Sequence, residues 1–69
     1  MTLSMFQEKI REEYFFTDTA YLLVRRTIDY VVTLPVSSRY QVANYFLRGV
    51  LSEDDIRQLS TEVESDVTS

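Results

Sequence analysis

Cysteine and histidine are absent from this chain, and glycine and proline occur once each. Without cysteine there is no disulfide, thiol nucleophile or thiolate metal site. Without histidine the usual general base near neutral pH and the commonest metal ligand are missing as well. No catalytic, cofactor-binding or metal-ligating constellation is therefore expected, and the chain reads as a non-enzyme. Glu12 with Glu13, or Asp54 with Asp55, could be imagined as an acid/base pair or a hard-cation site. Adjacent residues on a helix, however, point about 100° apart, and neither pair lies in a glycine-rich loop of the kind calcium sites use.

A single glycine and a single proline leave a β-sheet almost no legal turns, so the expected fold is all-α. Long apolar runs are lacking too. The longest, "AYLLV" from Ala20 to Val24, is far short of the roughly 20 residues that span a bilayer. The first ten residues show no basic region followed by an apolar one. The expectation is a cytoplasmic chain without a membrane segment.

What is present in quantity is aromatic surface. Nine Phe and Tyr residues among 69 supply enough apolar area for a folded chain. A domain of this length nevertheless buries only about 60% of the surface its unfolded form exposes. Small domains supplement such a core with disulfides, a metal or oligomerisation, and only the last is open here. A homodimer is therefore expected.

Charge is unevenly placed. The net charge is −4, but Glu53, Asp54, Asp55, Glu62, Glu64 and Asp66 against Arg57 put −5 on residues 52–69, leaving +1 for residues 1–51. Such a balance makes a poor general ligand for nucleic acid.

Four helices follow from the apolar spacing, over about 4–15, 18–34, 38–48 and 52–65. "SMFQ" at Ser4 and "SRYQ" at Ser38 read as capping boxes. Phe6, Ile10 and Tyr14 form a narrow stripe on the first helix. On the second, a wheel centred on Ala20 gathers Leu23, Val24, Thr27, Ile28, Val31 and Leu34 on the apolar side, with Tyr21, Tyr30 and Val32 at its margins. Arg25, Arg26, Asp29 and Thr33 lie opposite, with Leu22 as the one apolar residue among them. Strand-like alternation is also present in this stretch, but a strand here would have no second strand to pair with. Thr17, Asp18 or Thr19 can cap this helix and Pro35 ends it.

On the third helix Val42, Ala43, Phe46, Leu47 and Val50 share a broad face, and Gly49 stands where a left-handed terminating residue is wanted. "LSEDDI" opens the fourth: Ser52 caps, Asp55 reciprocates, and Leu51 with Ile56 forms a hydrophobic staple. Residues 1–63 thus make one helical domain, and 64–69 a frayed polar tail. The second and third helices, being the widest-faced, are expected to form the centre of the bundle and the subunit interface. Ile28 and Phe46 are expected to be buried.

The function these features suggest is a small protein-binding adaptor or regulator working through a helical face. Phe15, Phe16, Leu22, Arg25, Arg26, Tyr30, Tyr40 and Tyr45 are the candidate partner-binding residues. Phe15 and Phe16 cannot both point inward, and Leu22 is apolar on a polar face. Two alternatives have some support. "YQVANYFLRGVLSEDDIRQL" permits a helix-turn-helix for DNA, with Arg25, Arg26, Arg39 and Arg48 as phosphate contacts, although its would-be recognition helix starts with three acids. The acidic last segment could instead mimic a phosphate backbone.

Overall fold

The computed structural model describes residues 1–15 and 17–64, and among these it is all-helical: α1 (Leu3–Tyr14), α2 (Asp18–Val31), α3 (Val36–Leu47) and α4 (Glu53–Thr61). The α-carbon radius of gyration is 11.0 Å, about that of a compact domain of this length.

Each helix boundary has a local cause. Thr2, not Ser4, caps α1, its Oγ1 accepting the Met5 N–H at 3.3 Å. Thr2 is held extended because its neighbours pair with the far end of the chain, Leu3 N–H donating to the Glu64 carbonyl and Glu64 N–H to that of Met1. Glu64, expected to open the frayed tail, is thus tied to the N-terminus. Residues 65–69 of that expected tail lie outside the described residues. Thr17 caps α2, as one of the three candidates.

The second helix stops at Val31, three residues before the expected Leu34. Thr33 and Leu34 N–H groups turn onto the Tyr30 and Val31 carbonyls, and the residue before a proline is driven out of the helical region. Pro35 then serves as the N-cap of α3 without a side-chain hydrogen bond. The expected capping box at Ser38 does not form, because Ser38 is already inside the helix with its N–H on the Pro35 carbonyl. Gly49 follows the α3 terminus at φ +87°, the left-handed conformation expected of it. Ser52 caps α4 through Asp55 N–H, and Leu51 and Ile56 on either side of it are both buried. The helix ends at Thr61, short of the expected residue 65.

The core draws on all four helices. Phe6 and Ile10 from α1, Ile28 and Val31 from α2, Ala43 and Leu47 from α3, and Ile56 and Leu59 from α4 meet Val63 after the last helix. The outer helices α1 and α4 thus enter the core beside the inner pair. On α2 the buried residues are Tyr21, Val24, Ile28, Val31 and Val32. At 100° per residue that arc lies about 70° from the expected centre at Ala20. The rotation follows Tyr21, whose ring packs 5.6 Å from that of Phe15, and the links of Asp18 to Arg11 and Asp29 to Gln7, which dock this side of α2 on α1. Leu23 and Phe46, expected inside, are left out.

Candidate functional site

Three places on the molecule combine side chains in ways local spacing does not explain. The first joins α1 to the start of α4. Buried Asp55 accepts from Lys9 Nζ at 3.1 Å, Tyr14 Oη at 2.5 Å and Ser52 Oγ at 3.0 Å. Tyr14 Oη in turn accepts the Ser52 N–H at 3.3 Å, and Lys9 reaches Gln58 at 2.8 Å. Burial alone would raise the Asp55 pKa, but the hydrogen bonds from Tyr14, Lys9 and Ser52 outweigh it and hold the carboxyl below its ordinary value. The same pairing raises Lys9 above the usual lysine value. All this carboxylate's partners are structural, so the cluster acts as a clasp between α1 and α4.

The second is a groove between α1 and α2, lined by Gln7, Glu8, Arg11, Asp18, Tyr21, Leu22 and Arg25. Arg11 and Asp18 pair across it at 2.6 Å. Beneath them the Tyr21 hydroxyl is buried without a hydrogen-bond partner, and burial pushes its pKa up to about 12. Like-sized numbers of acids and bases line this groove, and its central charges neutralise one another.

The third is the outer side of α2 and α3. Arg26, Thr27, Tyr30 and Phe46 line a shallow groove between the two helices. Leu23, one turn before Thr27, is 71% exposed, Tyr30 55%, Phe46 56% and Tyr45 74%. Tyr45 and Phe46 stack edge to face with centroids 5.1 Å apart. Four large side chains are thus exposed here, Tyr30 and Phe46 along the groove, Leu23 two turns before Tyr30 and Tyr45 against the Phe46 ring. No acid is present anywhere in α3, and of the two in α2, Asp18 is taken by Arg11 and Asp29 by Gln7.

The residues singled out from the sequence are distributed over these places. Arg26, Tyr30 and Tyr45 fall on the α2–α3 face. Leu22 and Arg25 fall in the α1–α2 groove. Tyr40 sits by α4, near Arg57 and Ser60, with its hydroxyl 3.4 Å from Glu53. Phe15 is half-buried against the core, its ring between those of Tyr14 and Tyr21. Phe16 lies outside the described residues. Arg39, one of the phosphate contacts expected for a DNA-binding chain, is spent inside the fold: its guanidinium donates to the carbonyls of Val32 at 2.8 Å, Leu34 at 2.9 Å and Val63 at 3.1 Å.

Leu23 and Phe46 were missed as surface residues. Leu23, Arg26 and Tyr30 are spaced i, i+3, i+7, and that stripe, running beside the core face, was the signal available in the sequence.

Among the described residues there is no group of three or more potential metal ligands of the Asp, Glu, His and Cys type. No helix among them is long and apolar enough to cross a membrane. Compared with family models, with curated proteins and with solved structures, the chain matches none. What stands established is the class, a small all-α bundle of four helices.

Proposed function

We propose that this chain is a non-catalytic protein-binding adaptor or regulator, and that it binds through the α2–α3 face. One observation carries the reading: Leu23, Tyr30, Tyr45 and Phe46 are held in solvent side by side next to Arg26, while the core is assembled from other residues. Aromatic residues and arginine are the types that dominate binding energy at protein interfaces. Desolvating such a patch supplies affinity without any reactive group. The proposed location is the cytoplasm, with which a cysteine-free composition is consistent.

The test is affinity capture with wild-type protein, Tyr30→Lys and a control on the far side of the molecule, Glu12→Lys, each with and without nuclease. A protein partner, a second copy of this chain or another protein, recovered stoichiometrically by wild type and Glu12→Lys, resistant to nuclease and absent with Tyr30→Lys, is the expected result. Recovery of nucleic acid, or of proteins that vanish with nuclease, would replace this reading with the DNA-binding one.

A further inference from the structure

We infer that the occupant of the α2–α3 face is a second copy of this chain, joined to the first by a two-fold contact between the exposed sides of α2 and α3. The inference rests on the reading of that face as a protein-binding surface and names its partner.

Area is the first argument. At about 200 Å² for a fully exposed large side chain, the exposed fractions of Leu23, Tyr30, Tyr45 and Phe46 amount to about 500 Å² per copy. With all of it covered, two copies would bury about 1,000 Å² from these residues, and the adjoining Arg26 and Thr27 would add to that, towards the range of about 1,200–2,000 Å² typical of stable interfaces.

Charge is the second. In a chain of net charge −4, the acidic surfaces of two copies repel each other. α1 presents Glu8, Glu12 and Glu13, and α4 presents Glu53 and Asp54, all exposed. The α2–α3 side is where two copies meet without free carboxylates, because α3 has none and both acids of α2 already have partners in α1. A two-fold contact uses the same patch twice, so the patch must complement itself. Aromatic rings do so by offset or edge-to-face stacking. Arg26 makes no ion pair among the described residues, and in such a contact it can sit over the partner's Tyr30 or Phe46 ring.

Stability is the third. The chain has no cysteine for a disulfide and its described residues hold no metal-ligand cluster to supplement the small core, and of its described aromatics only Phe6 and Tyr21 are fully inside. Association through the remaining rings supplies the missing burial.

Sedimentation equilibrium from about 1 to 200 µM, with amide chemical shifts followed over the same dilution, tests this. The expected result is a mass twice the 8.1 kDa chain at the upper concentrations, with dilution shifts centred on Leu23, Tyr30, Tyr45 and Phe46. Phe46→Glu and, separately, Leu23→Glu should weaken association by at least about 30-fold while circular dichroism stays helical. A monomer throughout the range overturns the inference, as does a dimer whose dilution shifts fall on α1 or α4, or one that both substitutions leave intact. In any of these cases the protein-binding reading is judged separately, by whether Tyr30→Lys still loses its captured protein.

Discussion

Asp55, Tyr21 and Arg39 show how much single side chains decide in a molecule this small. Asp55 has a folded pKa held below its ordinary value, so its contribution to stability is complete above the unfolded carboxyl pKa of about 4. It is lost as pH falls through the lower, folded value. Asp55→Ala should destabilise the protein at pH 7 by about 2–3 kcal/mol, through the stranded Tyr14 and Lys9 donors, and should flatten the acid limb of a urea-midpoint profile below about pH 4. Tyr21 has the opposite sign. Its raised pKa means that the neutral hydroxyl is favoured in the fold, so stability is full below the unfolded value of about 10 and falls as pH rises towards about 12. Because that hydroxyl has no partner, Tyr21→Phe should leave stability at pH 7 unchanged or raise it by up to about 1 kcal/mol. The same substitution should reduce the alkaline loss, and a measured destabilisation above 1 kcal/mol at pH 7 would show that the hydroxyl is paired in solution. Arg39 satisfies carbonyls at the end of α2 and after α4 at once. Arg39→Met should cost about 2 kcal/mol in urea unfolding even though it deletes no core contact.

At the scale of elements, the connection from α3 to α4 is the most tightly specified part of the chain. Arg48 leaves the helix extended, Gly49 turns left-handed at φ +87°, and Ser52 caps three residues later. A Cβ added at Gly49 meets nothing within 4 Å, so the penalty of Gly49→Ala is conformational alone, about 1 kcal/mol. Ser52→Ala removes both the cap to Asp55 N–H and a donor to the Asp55 carboxylate, and should cost about 1–2 kcal/mol. Guanidinium denaturation of the two variants separates them: a loss for Gly49→Ala as large as that for Ser52→Ala would mean that the turn carries strain beyond φ.

For the whole molecule, the informative contrast is between Ile28 and Phe46. Both stand on apolar helical faces, yet Ile28 is fully buried and Phe46 is more than half exposed. Ile28→Asp places an unpaired charge in the core and should abolish cooperative unfolding. Phe46→Asp should keep a wild-type helical circular dichroism spectrum at micromolar concentration. Unfolding by both substitutions would restore the inward orientation expected of Phe46 from spacing alone.

Capping and backbone restriction act over three or four residues, and part of their outcome was legible in the order of residues: Ser52 as a cap, Gly49 as a left-handed terminator, and the all-helical class itself. The apolar periodicity was equally clear for Phe6, Ile10, Ala43 and Leu47. Of the residues singled out in the sequence, Arg26, Tyr30 and Tyr45 lie on the proposed α2–α3 face, whereas Leu23 and Phe46 beside them were expected inside. Periodicity fails where a helix has more apolar circumference than neighbours to cover it. On α2 the arc extends from Leu23 past Val32, and docking on α1 through Phe15, Gln7 and Arg11 selects the Tyr21 side and exposes Leu23. Thr2 became a cap because Glu64 lies beside it, and Asp55 became a clasp because Tyr14 and Lys9 arrive from the other end of the chain. Local propensities act between near neighbours and could be read in order along the chain, whereas the Thr2 cap and the Asp55 clasp depend on residues 41 to 63 positions apart that only the packed fold brings within hydrogen-bond reach.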